Sequence, residues 1–123
     1  MRRIRTCLLL TLLLTLVIPF TAYGEGMSKV GGGKKEAIWM YVTDEEDEHG
    51  IPICLTNQWK QVWDYWYYFG ENGKSIQSAW KEIDGKWYYF DEYSIMLHDT
   101  TTPDGYYVGS DGAWDQNEPV AVQ

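Results

Sequence analysis

Two groups of aromatic residues in this chain have the types and spacing to hold a ligand. Trp59 and Trp66 stand seven residues apart, and so do Trp80 and Trp87. Side chains alternate faces along a strand, so in the run Trp66-Tyr67-Tyr68-Phe69 the residues Trp66 and Tyr68 share one face, and Tyr67 and Phe69 the other. If such strands stack, Trp66 reaches toward one neighbour and Tyr67 toward the other. One junction would then gather Trp59, Trp66 and Tyr88, and the next Trp80, Trp87 and Tyr106. Two indoles and a phenol around a small space have three uses. They pack as an aromatic core, they stack on the flat faces of sugars, or they form a cage whose π-faces hold an onium group, each ring contributing about 0.5–2 kcal/mol. Alternation alone leaves all three open.

No other constellation competes with the aromatics. His49 and His98 each lie in a polar, turn-like setting, no Ser or Cys sits in a nucleophile motif, and no metal-ligand spacing occurs. The chain is therefore read as non-catalytic, with no metal and no cofactor. The acidic run Asp44–Glu48 lacks the regular oxygen spacing of a divalent-cation loop and is read as a solvated loop tip.

The elements that must position the aromatics come from a repeat. Trp59-Lys60 recurs as Trp80-Lys81 and Trp66-Tyr67-Tyr68-Phe69 as Trp87-Tyr88-Tyr89-Phe90, both at a spacing of 21 residues. A weaker copy, Gly105-Tyr106-Tyr107-Val108, follows at a spacing of 18, with Gly105 where Trp is expected. Trp39-Met40-Tyr41-Val42 echoes the same tetrad. Each unit reads as a β-hairpin. The aromatic tetrads favour strand, and Asp84-Gly85 predicts a two-residue turn between a strand near Trp80–Ile83 and one at Lys86–Phe90. Asn72-Gly73 and Asp111-Gly112 mark turns between units. A single hairpin of this size cannot bury its own apolar face, whereas a stack can. The fold expected is all-β, a short solenoid of β-hairpins with repeats of about 20 residues and little or no helix outside the signal peptide.

The ends read differently. Arg2, Arg3 and Arg5 precede an apolar stretch, Cys7 to Phe20, and Ala22-Tyr23-Gly24 then supplies small residues before a cut. That order is a secretory signal peptide over residues 1–24, too short to span a membrane, so no stable membrane insertion is expected after cleavage. Residues 25–36 read as a flexible Gly- and Lys-rich leader, 37–57 as a degenerate first repeat, 58–116 as the repeats proper, and 117–123 as a loose tail. Cleavage leaves seven basic against 18 acidic side chains, a net charge of −11. Nucleic acid is a poor partner for such a surface, and cationic ligands are favoured. Cys54 is then the sole cysteine, expected to be buried among Ile51, Ile53 and Leu55.

The pattern "WKQ…WYYFGENGK…AWKEIDGKWYYFDE" resembles the cell-wall-binding repeats of Gram-positive bacteria, which include choline-binding and glucan-binding repeats. The likeness runs well over Gln58 to Gln116 and loosely over Trp39 to Asn57. It implies a hairpin solenoid with ligand sites between consecutive hairpins. In the choline-binding branch it implies cages at Trp59, Trp66 and Tyr88, and at Trp80, Trp87 and Tyr106. The family's cage-closing Met matches Met96 and is assigned with the second unit; Ser75 holds that position in the first. The implied protein is secreted or cell-surface, a module binding a choline-bearing or glycan surface polymer. Carbohydrate binding and a purely structural role are the alternatives. The chain departs from the pattern where Gln58 and Ala79 replace Gly, where Trp63-Asp64 and Tyr93-Ser94 replace turn dipeptides ending in Gly, and where "HDTTTPDG" follows in place of a third Trp.

Overall fold

Nine strands, all antiparallel to their partners, make up the computed structural model, which describes residues 25–119. The expected signal peptide lies outside the described residues, and no helix occurs within them. A three-stranded sheet, β1 (Gly26–Gly31), β2 (Ile38–Glu46) and β3 (Pro52–Cys54), comes first. Three hairpins follow: β4 (Gln58–Val62) with β5 (Tyr65–Phe69), β6 (Ala79–Ile83) with β7 (Lys86–Phe90), and the shorter β8 (Thr100–Thr101) with β9 (Tyr107–Val108). The repeat-built β-hairpin stack expected from the sequence is the observed fold.

The two full hairpins share one register. Trp59 pairs with Tyr68 as Trp80 pairs with Tyr89, and Val62 meets Tyr65 across the tip as Ile83 meets Lys86. Asp84 and Gly85 both take positive φ, 51° and 81°, as a tight hairpin turn with right-handed twist requires. In the sister hairpin the first tip position, at φ 57°, is Trp63. Each hairpin is also entered through a left-handed residue, Asn57, Ser78 or Asp99, whose amide donates to the carbonyl of Gly70, Asp91 or Gly109 in the turn of the same unit. That places Thr100 and Thr101 in register with Gln58-Trp59 and Ala79-Trp80, so the third hairpin has no first-strand Trp.

The core lies at the junctions between hairpins. Phe69 and Phe90 are fully buried, with Tyr67 and Phe69 packed on Tyr41 and Tyr68 packed near Ile83, Phe90 and Met96. Parity is therefore obeyed: Tyr67 and Phe69 face back, and Trp66 and Tyr68 face forward beside Trp59.

Two expectations about the N-terminal part need correction. Residues 26–31, read as flexible leader, form β1 and pair with β2. Pairing satisfies the backbone of a Gly- and Lys-rich segment whose own propensity for strand is weak. The first unit is thus a hairpin of β1 and β2, not residues 37–57 alone. Met27 opposes Tyr41 as Trp59 opposes Tyr68, so Met27 holds the first-strand aromatic position. Cys54 is buried, as expected, at 4% exposure beside Met40 and Val42.

After each hairpin the chain turns and docks on the unit before it. The amides of Ser75, Met96 and Trp114 donate to the carbonyls of Trp39, Trp66 and Trp87 at 2.8, 2.9 and 2.8 Å. The turns leading there have a left-handed position at Gly73, Ser94 and Gly112. Glycine is favoured at Gly73, whose φ of 79° is left-handed and where an added Cβ would come within 2.9 Å of the Met40 methyl. Ser94 replaces the glycine because its hydroxyl is used. It is wholly buried, accepts from Ser75 Oγ and donates to the Ala37 carbonyl, both at 2.7 Å.

Candidate functional site

Two cages form, at the junctions that follow the first and second full hairpins. In the first, Trp59 stands edge-on to Trp66 (centroids 6.2 Å apart, planes at 87°) and to Tyr88 (4.9 Å, 79°). Met96 and Asp111 complete the wall of a cavity of about 320 Å³. In the second, Trp80 stands edge-on to Tyr106 (5.8 Å, 88°), and Tyr106 to Trp114 (5.7 Å, 89°). With Trp87 and Asp104 they line a cavity of about 310 Å³. Rings set near right angles make the sides of a box, and both boxes open to solvent past Trp66 and Trp87, each about 40% exposed. The volumes suit a small organic group.

The sextet Trp59, Trp66, Tyr88, Trp80, Trp87 and Tyr106 is brought together in the two triads that alternation predicts. Met96 is not where the sequence reading put it. It lines the first cage, not the second, because its amide docks on the carbonyl of Trp66 and carries the side chain to that junction. By the same rule Ser75 belongs to the junction before β4, against Trp39. The residue that closes the second cage is Trp114, which sequence reasoning missed. The signal was present: Ser75, Met96 and Trp114 each follow the last residue of the tetrad, Phe69, Phe90 or Val108, by six positions, and each bridges back to it.

The first junction has become core. Tyr67 is buried with Tyr41 and Phe69, Met27 and Trp39 pack on them, and the Trp39 indole N–H is buried without a hydrogen-bond partner. An internal cation lies beside it: Lys60 Nζ sits 4.7 Å from the Tyr41 ring centroid and 3.7 Å from Glu25 Oε1.

A carboxylate accompanies each open cage. Asp111 reaches the first from the turn after β9 and lies 3.8 Å from Lys86 Nζ. Asp104 sits in the loop between β8 and β9, accepting from the Trp80 indole N–H at 2.8 Å and from the Thr102 hydroxyl. Partial burial pushes its pKa up, but these two hydrogen bonds and one from its own amide together outweigh this and hold it below the usual carboxylate value. Burial raises the pKa of Tyr88, with Asp111 and Asp84 adding to it, so this cage ring is neutral at ordinary pH. His98 bonds to Asp99 and is part of neither cage. Among the described residues no cluster of His, Cys, Asp and Glu is placed to hold a metal.

The same register defines a known class of repeat. Residues 74–114 match the family model described as choline-binding repeat, and residues 57–75 one described as putative cell wall binding repeat. The repeats of this chain, residues 57–114, belong to that family. Among solved structures, the choline binding domain of Spr1274 in Streptococcus pneumoniae superposes with a TM-score of 0.57 at 28% identity, over 77% of this chain and 99% of that one. CbpJ from Streptococcus pneumoniae TIGR4 gives 0.52 at 29% identity, over 72% of this chain and 26% of that one. The multimodular pneumococcal cell wall endolysin from phage Cp-1, complexed with choline, shares the fold with a TM-score of 0.52 at 21% identity, over 80% and 27%. The chain thus spans nearly all of the first and about a quarter of the other two. No curated protein matches it.

Proposed function

We propose that this chain is a secreted, non-catalytic module that binds a cell-surface polymer by holding choline, or a similar onium group, in the two inter-hairpin cages. The observation that carries the reading is the recurrence at consecutive junctions of one constellation. Two Trp from one unit, a Tyr from the next and a closing Met96 or Trp114 surround an open space. The family of the repeats and the likeness to the Spr1274 choline binding domain support it. Quaternary ammonium suits such a box, since it loses little on leaving water and gains from each ring face. Three or four rings at about 1 kcal/mol each, within the range that exposed and partly desolvated sites give, imply single-site dissociation constants of about 1–10 mM. A polymer that engages both cages at once would bind far more tightly.

Titration of choline into the protein, followed by tryptophan fluorescence, tests this. Saturable quenching or enhancement in the millimolar range is expected, and Trp66→Ala should abolish the part due to the first cage while the fold persists, because Trp66 is about 40% exposed. No response at tens of millimolar from folded protein would sink the choline reading. The same rings offer sugars a stacking surface. Retention on insoluble glucan but not on immobilised choline would favour that alternative, against which stands a carboxylate beside each cage.

A further inference from the structure

The third hairpin departs most from the repeat, and its departures converge on the second cage. Its first strand lacks the Trp, Gly105 replaces the second Trp, and its tip is rebuilt as a loop. Thr102 closes that loop. Its amide donates to the Tyr106 carbonyl at 2.7 Å, its carbonyl accepts from the Gly105 amide at 2.9 Å, and its hydroxyl accepts from the Tyr106 amide at 3.1 Å. The loop thereby presents Asp104 to the Trp80 indole, on the wall of the cavity. Asp111, the carboxylate of the first cage, lies against Lys86, so part of its charge is already answered. Asp104 takes its hydrogen bonds from neutral donors alone, the Trp80 indole, the Thr102 hydroxyl and its own amide. Its negative charge is left facing a box of four aromatic rings.

We propose that Asp104 is the charge-reading residue of the second cage, making that site select a cationic headgroup over a neutral group of the same shape. The inference rests on the cage reading above. Ring faces and van der Waals fit respond to size, and a trimethylammonium and a tert-butyl group are nearly the same size. The ring quadrupoles supply some preference for the cation at both sites. A carboxylate at the wall adds a Coulomb term that only the charged ligand feels, moderate because the site is open to water and screened by salt.

The test compares choline with 3,3-dimethylbutan-1-ol, its neutral carbon isostere, in protein carrying Trp66→Ala so that only the second cage reports. Asp104→Asn keeps an oxygen for the Trp80 indole and removes the charge. It should weaken choline by about threefold or more at low salt, leave the alcohol unchanged, and flatten the salt dependence of choline binding. Equal loss of both ligands would make Asp104 a positioning residue for Trp80 and overturn the proposal. Unchanged choline affinity would overturn it as well. If the Trp66→Ala protein responds to neither ligand, the cage reading falls together with this inference. If it binds choline with a ratio that Asp104→Asn does not alter, only this inference falls.

Discussion

Asp91 is a carboxylate kept for its oxygens and not for its charge. Its Oδ1 accepts from the amides of Tyr93 and Ile95, both at 2.9 Å, and so shapes the turn that delivers Ser94 and Met96. Burial, with the neighbouring Glu92 carboxylate adding to it, raises its pKa above the ordinary value against the pull of those two hydrogen bonds. A raised folded-state pKa means that folding favours the protonated carboxyl. Its favourable contribution is present below the ordinary carboxylate range and is lost as pH rises through the raised value. At neutral pH the ionised group is thus a small liability. Asp91→Asn, which retains an acceptor oxygen at the same place, should leave stability at pH 7 unchanged or slightly raised. The advantage should vanish at pH 3–4, where urea melts of the two proteins should converge. A clear loss of stability at pH 7 would mean that the charge itself holds the turn.

At the scale of the hairpin, Trp63 runs against the logic of its turn. A bulky side chain at φ 57° is strained, and here the ring stands out at 89% exposure. Asp84 fills the equivalent place at φ 51° with a residue that tolerates it. Trp63→Asn should therefore stabilise the protein by about 0.5–1 kcal/mol, seen as a Tm higher by a few degrees, with choline affinity unchanged because Trp63 lines neither cage. The hairpins themselves were legible in the sequence. Trp59/Trp80 and the two aromatic tetrads fix a period, and Asp84-Gly85 fixes a turn and hence a register. Parity along Trp66–Phe69 then assigns each ring to a junction. The closing residues were not legible in the same way. The six-residue spacing from Phe90 and Val108 marks Met96 and Trp114 as equivalent, but the junction each one lines is set by an amide hydrogen bond to the preceding unit, which the spacing does not reveal. Strand β1 was hidden because β2 supplies the pairing that Gly26–Gly31 lacks by composition. Asp104 was hidden because shortening the third hairpin put it outside the register that the other two share.

For the molecule as a whole, the phenols that build the stack also set an alkaline limit. Burial raises the pKa of Tyr41, Tyr67, Tyr68, Tyr88 and Tyr89, in most cases with a nearby carboxylate adding to it. The folded state therefore holds these protons more tightly than the unfolded chain. Their contribution to stability is constant below the ordinary tyrosine value near 10 and falls as pH rises from there through the raised values. Urea midpoints should drop between pH 9 and 11, in step with phenolate absorbance. A midpoint flat across that range would show that the phenols ionise without leaving the fold. A different bond governs how the stack comes apart. Ser94, in the turn after β7, donates to the Ala37 carbonyl in the first unit and accepts from Ser75, in the turn after β5, so one buried pair of hydroxyls ties three units together, and the Ala37 amide donates to the Glu92 carbonyl in the same turn as Ser94. In a row of units coupled only to their neighbours, an end unit can fray alone. Here its departure would strand a wholly buried hydroxyl, a loss of about 1–3 kcal/mol. The link makes the first three units a single cooperative block, so that Trp59, Trp66, Tyr88 and Met96 of the first cage are lost in one melting step, whereas the second cage, which draws Tyr106 and Trp114 from the unit beyond the block, can open first.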